Sequence, residues 1–311
     1  MNNKITSVIS IGLYVYNGEK FLRERLDNIL SQSYSNFELI VSDNCSTDST
    51  SMICEEYSKK DLRIKYFRQK NTIDIQANGN FVLGKSSTQY FVWTQVDDIW
   101  DSKFLEKNIK ILENNPDIVG CNSKVEIVGP ITDMLKKSEH DTFFDAIYKK
   151  MRKSFRKMNT ESLDGEYNYR LRKFLKNPGH NNMLFGVFKT KEFQQSVFSE
   201  MFVGNDFCIV MNLLKHGEMY VINEILNFKR EGGMSGHGIL SLVKYMKGGK
   251  LDYLFPHLAL TKWCFSNLGG KNFVKNIDCF IKINLDAEFA LFLNLIKFLF
   301  IESKIKVIYN K

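Results

Sequence analysis

Tyr90-Phe91-Val92-Trp93-Thr94-Gln95-Val96-Asp97-Asp98-Ile99-Trp100 decides the reading of this chain. An apolar, aromatic run carries two adjacent carboxylates to its own end, and a helix-like pattern follows over 103–114. Carboxylates at the carboxyl end of a strand lie where open α/β sheets bind ligands. Their oxygens suit a hard divalent cation that also holds a substrate's phosphates. The stretch therefore predicts chemistry on a phosphorylated ligand.

Working outward, strand and helix alternate. Residues 5–15 read as a buried strand bounded by Asn17-Gly18. Phe21, Leu22, Leu26, Ile29 and Leu30 recur at helical spacing over 19–32. A short strand over 37–42 precedes Asp43-Asn44-Cys45-Ser46-Thr47-Asp48, a polar turn rich in capping residues. A helix to about residue 60, a strand at 63–67 and a loop turning helical over 71–82 lead to the decisive run, and 118–128 is a further strand. Such alternation predicts an α/β fold with a mostly parallel sheet flanked by helices. Three polar clusters then fall at strand ends: Tyr16-Asn17-Gly18-Glu19, Asp43-Asn44 and Asp97-Asp98. The second half is less regular: 183–188 reads as a strand, 207–214 as a buried helix, 219–228 as one or two strands, and the chain beyond Gly232-Gly233 as helical.

Composition sets the bounds. The chain has 311 residues, enough for one large domain or a domain with an appendage, and 44% apolar with 25% charged residues is ordinary for a globular protein. A net charge of +8 favours anionic partners: sugar nucleotides, phospholipid surfaces or nucleic acid. No groove-reading motif accompanies the charge, which sets nucleic acid aside. None of the six cysteines forms a CxxC pair or a zinc-like spacing. Free thiols, the absence of a typical signal peptide in MNNKITSVISIGLYV and the lack of a long apolar run predict a cytoplasmic protein. The first turn lacks the glycine-x-glycine-x-x-glycine loop of a dinucleotide-binding dehydrogenase.

The segment from Ser10 to Leu22 resembles the opening of the inverting glycosyltransferases of family 2, and the similarity continues from Ile29 through Asp48. Residues 71–80 and the Asp97-Asp98 pair follow in the family's order and spacing. The resemblance is good over 5–128, weaker to about residue 235 and absent beyond. It implies a GT-A (Rossmann-like) fold, with a catalytic domain over 1–235 and a C-terminal helical extension over 236–311. It further implies transfer of a single sugar from a nucleotide-diphosphate donor, a UDP-sugar, to a hydroxyl of a glycan or lipid-linked glycan. Tyr16, Asn17 and Glu19 would lie around base and ribose, Asp43 would accept a hydrogen bond from the base, and Asn78 would lie nearby. Asp97 would touch the cation, Mg2+ or Mn2+, with Asp98 supporting it. Asp206, at the start of an apolar helix, would take the acceptor's proton, and that helix terminus favours the anion. A plain N-cap aspartate is the simpler account of the same residue.

Several positions depart from the family's pattern. Tyr14 replaces its proline, Gln95 the first aspartate of its metal motif, Asp74 a glycine and Asn205 a glutamate beside the base. Gln95 and Asn205 leave open an inactive sugar-nucleotide-binding or scaffolding relative. The glutamine-x-x-arginine-tryptophan motif of processive members is absent. Arg230 could meet phosphate at a mobile loop or be a surface charge. His237 could help hold metal or phosphate, though a solvated loop histidine is the favoured reading, and Gly179-His180-Asn181-Asn182 could face donor sugar or acceptor or be a simple polar turn. Phe143, Phe144, Ile147, Met151 and Phe155 form an apolar stripe among basic residues, suited either to an anionic membrane surface or to packing on the sheet. The apolar run over 289–301 is too short to span a bilayer. It could rest at the interface, on the catalytic domain or on a dimer partner.

Overall fold

The computed structural model describes residues 8–129, 161–177, 182–230 and 239–292. The stripe over 143–157, Gly179 to Asn181, His237 and the end of the C-terminal run lie outside the described residues. The chain divides into two compact units. One comprises Met1–Leu171, Asn177–Ser199 and Ile209–Glu231; the other comprises Arg172–Lys176, Glu200–Cys208 and Gly232–Lys311.

In the first unit, β1 (Ile9–Val15) lies between β2 (Phe37–Asp43) and β4 (Tyr90–Thr94), with β3 (Ile64–Arg68) outside β2. All four are parallel. Parallel neighbours need crossovers, supplied here by α1 (Glu19–Leu30), α2 (Thr50–Lys60) and α3 (Ile75–Gly84). Helices on the faces explain why β1 and β2 are continuous apolar runs rather than alternating ones; Ile9, Ile11, Leu13, Leu39, Ile40 and Val41 are fully buried.

Beyond β4 the sheet changes character. β7 (Val187–Lys189) runs antiparallel to both β4 and β6 (Ile118–Val128). β6 is parallel to β8 (Glu218–Arg230), and β5 (Asp98–Trp100) closes the edge antiparallel to β8. The order is β3-β2-β1-β4-β7-β6-β8-β5, a mixed sheet that is parallel over its first four strands. Register shifts in the β6–β8 ladder add twist. α4 (Phe104–Asn114) follows β5 and buries Phe104, Leu105, Ile109 and Leu112.

Four differences from the sequence reading stand out. The aromatic run leaves the sheet at Thr94, and Asp98 starts a strand of its own. Residues 219–228 belong to one long strand. Residues 183–188 divide between a 3-10 turn (Asn182–Phe185) and β7. α5 (Tyr167–Lys176) was not foreseen, because its buried Leu171, Phe174 and Leu175 are dispersed among Arg170, Arg172 and Lys173. α6 (Thr190–Ser196) and α7 (Asn205–Leu213) follow.

The second unit is helical: α8 (Ile239–Tyr245), α9 (Leu258–Asn267), α10 (Gly270–Lys275) and a helical stretch over 277–292. Phe273 stacks on Phe280 with ring centroids 4.8 Å apart, and Arg172 grips Asp278 through both of its terminal nitrogens. Cys279, Phe280, Ile283, Ala287 and Leu291 are buried on one side of 277–292. Ile277, Ile281, Leu285, Phe289 and Phe292 are exposed on the other. Among the described residues no helix is long and apolar enough to cross a membrane.

Candidate functional site

The register of the parallel strands sets the site. Val15 lies beside Asp43 and Leu13 beside Thr94, so β1, β2 and β4 all end at one edge of the sheet. At about 4.8 Å between neighbouring strands, the ends of β2 and β4 are about 10 Å apart. The Tyr16–Gly18 turn fills the space between them. The loop starting at Asp43 and the turn carrying Asp97 therefore leave the sheet on the same side.

The first two of these loops are stitched together. Asn17 sits at φ +49°, a left-handed conformation that asparagine tolerates better than most residues. Its Oδ1 accepts the Thr47 N–H at 2.9 Å, while its own N–H donates to Ser46 Oγ at 2.9 Å. The Gly18 N–H donates to Thr50 Oγ1 at 2.8 Å. The Glu19 N–H reaches Asp48 at 3.1 Å, and Glu19 Oε2 accepts the Ser49 N–H at 2.9 Å. Asn17 and Glu19 thus brace the loop, whereas Tyr16 projects from it, 52% exposed.

Asp43 is fully buried, and both of its oxygens have partners. Oδ1 accepts the Ser46 N–H at 2.8 Å and Oδ2 the Tyr66 hydroxyl at 3.1 Å, with Arg68 Nε 3.8 Å from Oδ2. Burial and the Asp43 charge push the Tyr66 phenol well above its ordinary pKa, so it stays a donor. Asn78, on α3, is buried against β2: its Oδ1 accepts from Ser42 Oγ at 2.6 Å and its Nδ2 donates to the Ser42 carbonyl at 3.3 Å. Asn44 pairs likewise with the main chain of Ile73, at 2.8 and 2.9 Å.

The Gln95–Asp98 turn holds its two carboxylates differently. Asp97 is half-buried. Asp98 is buried, opposite Lys229 in the β5–β8 ladder. Burial raises its pKa against the lowering pull of Lys229, Arg25 and a backbone hydrogen bond to Gln95. Of the two carboxylates, Asp98 is the one enclosed by the fold, and Asp97 keeps partial access to solvent. Among the described residues no three acidic, histidine or cysteine side chains gather as a metal cluster. The donor set still fits a cation that arrives with its substrate: one carboxylate, with phosphate oxygens and water completing the shell.

Arg25 was not singled out from the sequence, although its place on α1 three residues after Leu22 and four before Ile29 puts it on the apolar face. It is fully buried beside this turn, its guanidinium 4.0 Å from the centre of the Trp100 ring. Burial pulls its pKa down to about 10, with Asp98 and Asp97 pulling the other way.

Arg230, at the end of β8, lies 4.6 Å over the Phe21 ring and pairs with Glu24 on α1. In the second unit, Gly204 at φ +91° makes a turn that only glycine enters without strain, and a Cβ there would approach Leu260 at 3.0 Å. Asp206 follows in the first turn of α7, its Oδ1 accepting the Phe207 N–H at 3.0 Å. Asn205 Nδ2 reaches the Glu200 carbonyl at 3.4 Å. His257 packs edge-on against Phe207 within the influence of the Asp206 charge, and burial lowers its pKa.

This arrangement has known counterparts. The chain is 36% identical over 121 residues to an uncharacterized glycosyltransferase of Haemophilus influenzae, covering 39% of this chain and 38% of that protein. It is 36% identical over 123 residues to glycosyltransferase GlyA of Streptococcus pneumoniae, covering 39% of this chain and 17% of the relative. The matches thus span less than two fifths of either relative. The fold is similar to that of S. aureus TarS residues 1–349, with TM-score 0.54 and 16% identity over 91% of this chain and 82% of that one. It is also similar to mannosyltransferase PcManGT of Pyrobaculum calidifontis, solved with GDP-Man and Mn2+, with TM-score 0.54 and 14% identity over 93% and 86% of the two chains. TarS has also been solved with UDP-GlcNAc. These structural likenesses show the fold, GT-A. Residues 10–199, more than half of the chain, match glycosyl transferase family 2, and the chain belongs to that family.

Proposed function

We propose that this chain is an inverting glycosyltransferase, moving one sugar from a nucleotide-diphosphate donor, a UDP-sugar, to a hydroxyl of a glycan or lipid-linked glycan. The observation that carries the reading is the shared strand edge. In a chain of this family, the Asp43 loop and the Asp97 turn leave the sheet at one edge on either side of the Tyr16–Gly18 turn, which supports a nucleotide held across that edge.

In this reading Tyr16, Asn17, Glu19, Asp43 and Asn78 form the nucleotide end. Arg68 is 43% exposed at its side chain, and its movement from Asp43 opens an acceptor for the base N–H. Asp97 would hold the cation, Mg2+ or Mn2+, with Asp98 behind it. The bound cation would offset charge developing on the leaving diphosphate. Asp206 takes the proton of the acceptor hydroxyl as that oxygen attacks the anomeric carbon opposite the leaving group. Arg230 meets phosphate only after leaving Glu24.

The C-terminal region over 236–311 is assigned an interfacial role. The exposed row from Ile277 to Phe292, with Lys282 in the same helix and Lys271 and Lys275 in the preceding α10, supports an anionic membrane surface, and a homodimer would cover the same row. Sedimentation with anionic and neutral vesicles separates the two. A second reading, an inactive relative that binds sugar nucleotides, is favoured by Gln95 and by the burial of Asp98, which leave one carboxylate for the cation. Turnover of a UDP- and GDP-sugar panel with Mg2+ and Mn2+ tests the function. Release of nucleoside diphosphate supports transfer, and binding without release supports the second reading.

A further inference from the structure

The face of α1 turned toward the Asp97 turn is polar where an apolar stripe would be expected. Arg25 donates through one terminal nitrogen to Asn28 Oδ1 at 2.6 Å and through the other to Thr94 Oγ1. Asn28 holds Trp100 by both main-chain groups, accepting its N–H at 2.9 Å and donating to its carbonyl at 2.8 Å. Gln32, one turn further, donates to the Asp101 carbonyl at 2.9 Å and accepts the Leu105 N–H at 3.3 Å. Thr94 is the last residue of β4, and Trp100 the last of β5. The guanidinium thus spans both ends of the turn that carries Gln95, Asp97 and Asp98.

Three features argue against simple filling of the core. The guanidinium is fully buried and, among the described residues, its Nε has no hydrogen-bond partner and it makes no direct ion pair, all of which are costly for a charge. The charges felt most nearby are those of Asp98 and Asp97. Gln95, between Thr94 and Asp97, is neutral, so the turn balances two carboxylates against this one internal cation and Lys229.

We propose that Arg25 is a positioning residue for Asp97. It fixes the 94–100 turn through Thr94, Asn28 and Trp100, and by its charge keeps Asp98 folded inward, so that Asp97 alone is presented to the cation and the donor diphosphate. Arg25 touches neither ligand and acts through the turn. The proposal rests on the reading of Asp97 as the cation ligand.

The test is UDP binding by calorimetry, with Mn2+ and with EDTA, for the full chain and for Arg25→Met, Arg25→Lys and Asp97→Ala. The quantity read is the gain in UDP affinity that Mn2+ confers. Arg25→Met is expected to reduce that gain at least about 10-fold while leaving UDP binding in EDTA unchanged, and Arg25→Lys to recover part of it. A role in folding alone would lower the melting temperature and leave the gain intact. A full Mn2+ gain in folded Arg25→Met, with the gain lost in Asp97→Ala, overturns the role of Arg25 alone. A gain that survives in Asp97→Ala, or is absent from the unaltered chain, overturns the reading of Asp97 and the proposal with it. Should Arg25→Met fail to fold, Arg25→Lys decides. It keeps the charge and loses the two-pronged hold, so a full gain in that variant overturns the proposal.

Discussion

Asn28 and Trp100 are joined as if by a strand pairing: the side-chain amide of one takes both main-chain groups of the other, at 2.8 and 2.9 Å. The contact ties the last turn of α1 to the end of β5, across the turn that carries Asp97. Asn28→Ala strips partners from the Trp100 N–H and carbonyl and from one Arg25 nitrogen. Leaving such groups unpaired costs about 2–3 kcal/mol in total. Urea denaturation is expected to show a loss of that size, and a loss under about 0.5 kcal/mol would remove Asn28 from the account of the turn.

Asp43→Asn separates the structural from the ligand role of that residue. The amide oxygen can still accept the Ser46 N–H. Its NH2 then faces Tyr66 and the incoming base, where an acceptor is needed. UDP affinity is expected to fall about 10-fold, the worth of one hydrogen bond to a charged group. Unchanged affinity in the folded variant would mean that the base binds elsewhere.

Cys45 gives a chemical footprint of the same loop. It is the partly exposed thiol, while Cys54, Cys121, Cys208, Cys264 and Cys279 are buried. Burial also pushes the Cys54 thiol up to about 12, which suppresses its reactive thiolate. Maleimide labelling of the native protein is expected at Cys45 first, and saturating UDP is expected to slow it. Equal labelling with and without UDP would separate this loop from the nucleotide.

His257 predicts a pH dependence in the second unit. Its folded pKa lies below the ordinary 6.5, mainly through burial, with the Ile283 carbonyl and the Asp206 and Asp286 charges opposing. The unfolded chain therefore takes up a proton first as pH falls. The stabilising effect of keeping the ring neutral is full above about pH 7 and declines as pH drops through 6.5 toward the folded value. His257→Gln is expected to flatten the melting-temperature profile between about pH 7 and pH 5. A slope identical to that of the unaltered chain would contradict this.

The parallel half of the fold was legible because its strands are covered on both faces and their apolar runs are separated by clear turn chemistry. The strand-end position of Asp43 followed from that alternation, whereas β4 ends at Thr94 and Asp97 lies in the turn beyond it. β5 was not legible, since three residues carry no periodicity and only the antiparallel partner β8 makes them a strand. That same pairing buries Asp98, which sequence alone cannot tell from its half-buried neighbour Asp97. Arg25 escaped notice because arginine on a helix is normally solvated; only the meeting of α1 with β4 and β5 encloses it. Asn17 and Glu19 make bracing bonds between two loops far apart in sequence, a role that their sequence positions alone do not reveal.

The central claim is that Asp97 and Asp206 act on a nucleotide-sugar. The most direct measurement is nucleoside-diphosphate release from the donor panel with Mg2+ or Mn2+, by the full chain and by folded Asp97→Ala and Asp206→Ala. The account predicts turnover by the full chain, a loss of about 10²–10⁴-fold in Asp206→Ala as expected for a missing general base, and a loss of at least about 10²-fold in Asp97→Ala. Undiminished turnover in both variants would contradict it.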